Sequence, residues 1–351
     1  MSDADADARS HASDTAPRET VLRAFVVPGW LVCVLAPLPF LLGLSVPRTV
    51  QYVPLVVSGL LFGMPHGAVD HLAVARVSGR PFWPVPAIAV AIVYGVLGGL
   101  YLAAWFVIPL PAAVLFVVLT WLHWGQGDVY LLDALGDGYP GSSVGRVLAL
   151  VVRGAMPMAV PLVAFPAEYQ AVVTDFVGLF DAGAAVEALF APDVRLALAA
   201  GLVVLTGLSI LAGWLAAGGD VARLDALELG LLWVLFLSVP PVLAVGLYFC
   251  LWHALRHVAR LALVDDRGRA ALTAGRPVDA LRSFARDAAP LTVVSLGFVA
   301  ALYPLVPETP ETTAEAVALY LVVVAALTLP HALIVSYMDY EQGVWARSTD
   351  G

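Results

Sequence analysis

Long apolar runs separated by short polar segments dominate the chain. Ten runs approach the ~20 residues that a transmembrane helix needs, at positions 25–46, 52–77, 85–108, 112–132, 147–165, 195–217, 227–239, 242–263, 290–306 and 316–338. The run at 227–239 is the shortest, and the pair Pro240-Pro241 would end it. The pattern predicts an all-α, polytopic integral membrane bundle with roughly eight to ten transmembrane helices.

The two chain ends are predicted to lie outside this bundle. Residues 1–24 are rich in Asp, Ala and Ser and have no apolar run, which is typical of a disordered acidic tail. Residues 25–340 are predicted to form a single transmembrane domain, and residues 341–351 a short polar tail. Between them, residues 166–193 combine five acidic side chains with apolar positions at helical spacing. That segment is predicted to be a surface or interfacial helix.

Arginine is distributed unevenly between the predicted loops. With ten spans both termini lie on the same side, together with the five arginines of a predicted polar loop at 265–287. Loops rich in positive charge are usually cytoplasmic. We therefore expect a multi-pass protein of the cell membrane with both termini in the cytoplasm.

The composition agrees with the membrane prediction. Hydrophobic residues make up 61% of the chain and charged residues 13%, whereas soluble domains carry about 25% charged residues. The net charge is -9 and all 18 basic residues are arginine, a bias that hints at a high-salt host. Nucleic-acid binding is not expected, because the sequence offers no basic face. The two cysteines, Cys33 and Cys250, lie in apolar runs, and no disulfide is expected.

One predicted span carries the motif Trp252-His253-Ala254-Leu255-Arg256-His257. Its two histidines are four residues apart and therefore share one helix face. An imidazole inside a bilayer needs a polar partner or a metal ion. On its own, this motif leaves a metal site and ordinary helix packing both open.

Histidines in three other spans favour a metal. His66, His123 and His331 lie in spans predicted to run in the same direction as the span of His253, at depths that agree within ~6 Å. Only His11 of the seven histidines lies outside the predicted spans. Neutral imidazoles suit iron, copper or zinc. The absence of glutamate from these four spans argues against a carboxylate-bridged di-iron centre.

Several neighbours of these histidines are candidates for supporting roles. Asp70 shares a helix face with His66 and can hold a histidine N–H. His71 points about 140° away from His66, so one of the two is expected to bind metal and the other to support it. His331 is open as a ligand, a pocket wall or a hydrogen-bond donor. Two further carboxylates are predicted to be solvated helix ends, Asp128 and Asp339.

Aromatic side chains flank the same motifs. Trp124 and Trp252 are adjacent in sequence to His123 and His253. Any one of them is typical of membrane-helix packing. As a group, they predict a slot for a flat, apolar, conjugated substrate that arrives from the lipid.

Four segments together resemble the Brp/Blh family of membrane-bound β-carotene 15,15′-dioxygenases. They are residues 63–71, 123–128, 252–257 and 330–332, with sequences GMPHGAVDH, HWGQGD, WHALRH and PHA. They follow one another in the family's order over most of the chain. The lysine-free, acidic composition fits a haloarchaeal member, where the family is associated with bacteriorhodopsin.

The resemblance implies a function and a set of site residues. The family is all-helical, holds a non-haem Fe(2+) with histidines, and cleaves the central double bond of β-carotene with O₂ to give two all-trans-retinal molecules. An opsin is the expected recipient of that retinal. Carried over by position, the iron ligands are His66, His123, His253 and His257. Residues expected around the metal or in the substrate pocket are Asp70, His71, His331, Trp124 and Trp252.

Four other hypotheses of function are compatible with the sequence. A bis-histidine haem protein for membrane electron transfer would show a Soret band. A di-iron hydroxylase or desaturase would bind two irons, and a transporter with a histidine proton relay would work without metal. A structural scaffold for an opsin would leave cellular retinal unchanged when His253 is replaced by alanine.

Overall fold

The computed structural model describes residues 16–136, 138–216 and 219–346, which form helices joined by short turns and contain no strand. The predicted tail at 1–24 is helical from Ala16 onward, and its first part lies outside the described residues. The helices are α1 (Ala16–Leu41), α2 (Arg48–Ser78), α3 (Val85–Val107), α4 (Pro109–Leu135), α5 (Ser143–Ala164), α6 (Pro166–Gly178), α7 (Pro192–Ala216), α8 (Gly219–Ser238), α9 (Pro241–Val264), α10 (Asp266–Thr273), α11 (Pro277–Leu302) and α12 (Thr313–Glu341).

Local sequence sets many of the helix ends. Proline at the first helical turn, where no backbone N–H is needed, begins α4, α6, α9 and α11. Thr312 and Glu315 form a reciprocal capping box at the start of α12. Gly79 ends α2 with φ +63°, a left-handed conformation that glycine adopts without a steric penalty.

Nine helices in the described part of the chain are long and apolar enough to cross a membrane. They are α1 to α5, α7, α9, α11 and α12. This confirms a polytopic helical bundle within the predicted range of spans. All but the last residue of the short predicted span at 227–239 lie in α8, which is not one of the nine. This helix buries Asp225 and Glu228.

Two segments between the predicted spans are partly or largely helical. The prediction of a polar loop at 265–287 was wrong, because α10 and the first turns of α11 occupy most of it. An N-cap hydrogen bond from the Gly268 N–H to the Asp265 carboxylate begins α10 at once. The predicted interfacial helix at 166–193 is confirmed as helical over α6, with a short 3₁₀ turn at Glu187–Phe190.

Glycines bring α4 and α5 into close contact. A Cβ atom at Gly154 would overlap the carbonyl oxygen of Trp121, and one at Gly125 would overlap that of Leu150. Small residues at these positions allow two backbones to approach within a membrane. Because α4 carries His123, this packing fixes one wall of the site.

We expect Gly154→Ala to destabilise the protein by about 1–3 kcal/mol or more, because the added methyl meets a backbone oxygen that cannot rotate away. Thermal unfolding in detergent should show a lower midpoint. Gly201→Ala in α7 is the matched control, since nothing lies within 4 Å of the added Cβ. Equal midpoints for the two variants would show that the α4–α5 contact is not close-packed.

Candidate metal centre

Five histidine side chains converge in the middle of the bundle. His66 lies on α2, His123 on α4, His253 and His257 on α9, and His331 on α12. Their rings pack against one another with centroid distances from 4.5 to 6.4 Å. Each is at most 5% exposed. Four separate helices therefore deliver imidazoles to one buried point.

Helix irregularities aim two of these rings. The turn Gly63–Ala68, which contains Pro65, is set off from the rest of α2 by non-helical backbone angles at Phe62 and Val69. His66 lies in this turn, and its Nδ1 is 2.9 Å from the Phe62 carbonyl oxygen. That hydrogen bond leaves Nε2 for the centre of the cluster. His253 lies in a π-helical turn of α9, a feature frequent at functional sites.

The His123 and His253 rings meet edge to face, with an angle of 76° between their planes. Their Nε2 atoms are 3.0 Å apart. These two nitrogens would be able to bind one metal ion together. Gly127 permits this approach, because a Cβ there would lie 3.3 Å from the His253 ring.

His331 is held from behind by a carboxylate. Its Nδ1 is 2.8 Å from Oδ2 of Asp70, and the Tyr94 hydroxyl donates a 2.6 Å hydrogen bond to the same oxygen. Asp70 is 1% exposed. A carboxylate behind a histidine is the arrangement that orients metal-binding imidazoles. The sequence raised this role for Asp70, and the ring that it contacts is that of His331.

Several ring nitrogens in the cluster have no hydrogen-bond partner among the described residues. They are Nδ1 of His123, both nitrogens of His257 and Nε2 of His331. Buried polar atoms of this kind are normally satisfied. Nitrogens of His66, His123 and His331 also lie within 4.8 Å of one another. The donor set, all imidazole and buried, fits a transition-metal ion.

The other predicted residues have different positions. His71 is half-buried at the cavity wall and packs edge-on against Phe82, with ring centroids 5.4 Å apart. Trp124 packs against His253 at 5.8 Å and lines the cavity. Trp252 is fully buried and donates its Nε1–H to Asp128. This hydrogen bond connects α9, which carries His253, to α4. Trp252 is not among the described residues that line the cavity.

A buried ionic network lies behind the histidines. Arg153 contacts Glu228 at 2.8 Å and Asp128 at 3.1 Å, and it also pairs with Asp225. Arg256 contacts Glu228 at 2.6 Å and Asp128 at 3.2 Å. All five residues are at most 3% exposed. The network joins α4, α5, α8 and α9 and so fixes the helices of His123, His253 and His257 relative to one another.

The sequence-based prediction for two aspartates was wrong. Asp128 and Asp339 are each 1% exposed rather than solvated. Asp128 accepts from Arg153, Arg256 and Trp252, and Asp339 pairs with Arg260 at 2.8 Å. The sequence did contain an indication that carboxylates are buried in the bundle. Arg153 lies in a predicted span, and an arginine inside a membrane needs a buried partner.

An apolar cavity of about 760 Å³ adjoins the histidines. His66, His123 and His331 form part of its wall. The volume is within the ~300–1,000 Å³ typical of small-molecule sites. On α3 the lining residues run from Ala87 to Leu102, a rise of ~22 Å. Tyr94, which bonds to Asp70, lies between them, so the cavity extends to both sides of the histidine level.

Comparison with known proteins adds a family to this geometry. Residues 57–339 match the family described as beta-carotene 15,15'-dioxygenase. The chain is similar to "Probable beta-carotene 15,15'-dioxygenase Blh" of Halobacterium salinarum, with 44% identity over 93% of this chain and 95% of the relative. It is also similar to "Probable beta-carotene 15,15'-dioxygenase Brp" of the same species, with 31% identity over 86% of this chain and 88% of the relative.

No solved structure matches the chain. The family match covers every histidine of the cluster, and the full-length relatives cover most of both chains. The resemblance that was inferred from four short motifs is therefore confirmed. The chain belongs to the family of β-carotene 15,15'-dioxygenases.

Proposed function

We propose that this protein cleaves the central 15,15' double bond of β-carotene with O₂ and releases two molecules of all-trans-retinal. The observation that carries the proposal is the convergence of five buried imidazoles on the wall of an apolar intramembrane cavity. β-Carotene is the proposed substrate because the names of two relatives specify it, and the alignments with these relatives cover most of this chain. A water-insoluble polyene needs a site of this apolar kind.

Iron is the proposed metal, held by His66, His123, His253 and His257. His331 joins the set as a fifth imidazole because its Nε2 has no partner in the described residues and Asp70 holds its Nδ1. Bound iron would supply the activation of O₂ beside the polyene. The ionic network behind α4 and α9 keeps the imidazoles in place when the site is filled and when it is empty.

The cavity selects the bond that is cleaved. Because its lining extends to both sides of the histidine level along α3, the two halves of a long polyene have room on either side of the metal. Trp124 and Phe249 present flat faces next to His253 and line the same space. They orient the conjugated chain and keep water away from the reacting bond.

Expression in cells that make β-carotene tests the proposal. We expect loss of orange colour and accumulation of all-trans-retinal without longer apocarotenals, as central cleavage requires. A His253→Ala strain that accumulates equal protein is the control. Unchanged β-carotene in cells with folded, iron-loaded protein would refute the activity. Longer apocarotenals would refute the central position.

Asp70→Asn is expected to lower metal affinity or activity about 10–100-fold, because the His331 ring loses its carboxylate partner while the shape of the site is kept. Equilibrium metal titration against a competing chelator measures the change. Tyr94→Phe removes only the hydroxyl that contacts Asp70, so its effect should be smaller. An Asp70→Asn protein that binds metal as tightly as the wild type would exclude this positioning role.

We further propose that the protein lies in the cell membrane with both termini in the cytoplasm and that its product passes to an opsin. The nine apolar helices and the arginine-rich segment at 265–287 support a multi-pass protein with a cytoplasmic C-terminus. Because nine crossings would leave the termini on opposite sides, a cytoplasmic N-terminus also requires that α8 crosses the membrane. A C-terminal tag should be cut by protease in inside-out vesicles and protected in intact spheroplasts. A tag that is cut in intact spheroplasts and protected in inside-out vesicles would place the C-terminus outside the cell and contradict the proposed topology.

A further inference from the structure

The cavity has a wall that is also exposed on the outside of the bundle. On α11, Leu291, Val294 and Phe298 line the cavity. The same three side chains are 40%, 49% and 57% exposed. They recur at positions i, i+3 and i+7 and so form one stripe of the helix.

This exposure does not come from the cavity surface alone. Tyr52 and Leu55 line the same cavity and are only 5% and 4% exposed. The α11 stripe must therefore face outward as well as inward. Since α11 is one of the helices able to cross the membrane, we expect its outward side to face lipid.

The α11 stripe lies close to the histidine cluster. Helix α11 packs against the turn Gly63–Ala68, which carries His66. A long apolar molecule that passes the α11 stripe would reach the imidazoles without crossing water. A route through water would instead expose the apolar surface of the polyene to solvent, which is unfavourable.

We propose that the cavity opens sideways into the bilayer along α11, and that Leu291, Val294 and Phe298 form the rim through which β-carotene passes from the lipid. The identity of the molecule that passes rests on the proposed function. The access route and the side chains that control it rest on the exposure of the α11 stripe.

A second edge provides the competing route. On α3, Ala91, Gly95 and Gly99 also line the cavity and are exposed. A Cβ added at Gly95 or Gly99 would meet nothing within 4 Å. We favour the α11 edge because it is packed against the turn that carries His66.

Adjacent valines on α11 offer a matched test. Val294 lines the cavity, whereas its neighbour Val293 is 68% exposed and is not among the described lining residues. Full-length wild type, Val294→Trp, Val293→Trp and Gly95→Leu are placed in nanodiscs and mixed with β-carotene-loaded liposomes without O₂. Carotene recovered with the protein is followed over time by absorbance, with empty nanodiscs as background. Equal thermal unfolding confirms that each variant is folded.

We expect Val294→Trp to slow carotene uptake several-fold and to lower kcat/KM in air by a similar factor, with kcat much less affected. Val293→Trp should match the wild type. Equal uptake by all proteins, or slow uptake only in Gly95→Leu, would overturn the proposal, as would a wild type that takes up no carotene. Wild type that takes up carotene but forms no retinal in air would refute the proposed function and leave the access route standing.

Discussion

His253→Ala is expected to abolish retinal formation and to remove most of the bound iron. His253 is 1% exposed, and its Nε2 is 3.0 Å from that of His123, so the change deletes a central donor and leaves a buried gap. Retinal should fall to the level of cells that lack the protein. Iron per protein after membrane purification should fall with it.

His71→Ala is the matched control for iron content. His71 lies in the same membrane-embedded region but packs against Phe82, apart from the five clustered rings. The His71→Ala protein should therefore bind as much iron as the wild type. Full iron in His253→Ala, or loss of iron in His71→Ala comparable to that in His253→Ala, would contradict the proposed ligand set.

Arg153→Met is expected to destabilise the protein by about 3–5 kcal/mol, because it leaves buried carboxylates without their cation. Arg153 is fully buried and contacts Asp128, Asp225 and Glu228. The unfolding midpoint in detergent should drop sharply. Iron occupancy should drop as well, since Asp128 ties α4 to α9 through Arg256.

Two further variants separate charge from packing. Arg223→Met removes an arginine from α8 whose side chain is 70% exposed, and it should change stability little. Adding Asp225→Asn to Arg153→Met should recover part of the lost stability, because one uncompensated carboxylate is removed. Additive losses in the double variant would show that the two side chains are not coupled.

Most of the fold could be predicted from the sequence because membrane helices have a strong local signal. A run of about 20 apolar residues is sufficient evidence for a span. The four histidine motifs were likewise recognisable, since the similar predicted depths of His66, His123, His253 and His331 already placed them together. The structure adds a direct contact between them, with His66 and His331 ring centroids 4.9 Å apart.

The ionic network could not be assembled in the same way. Its members come from four helices. The predicted span at 227–239 left out Asp225, whereas α8 begins at Gly219 and brings both Asp225 and Glu228 to Arg153. The position of Trp252 also depends on helix rotation, which the π-helical turn at Tyr248–Ala254 alters. A hydropathy pattern does not show which buried charges will meet, because the partners lie on different helices. It also does not show where a π-helical turn changes the direction of a side chain.

We propose that cleavage of β-carotene requires a metal held by the buried imidazoles. The most direct test is to strip the purified protein with a chelator, titrate Fe(2+) back without O₂, and then admit O₂ and β-carotene. We expect activity to return in proportion to bound iron and two retinals to form per carotene consumed, whereas His253→Ala should not recover activity. Full activity in stripped protein that contains no metal would contradict it.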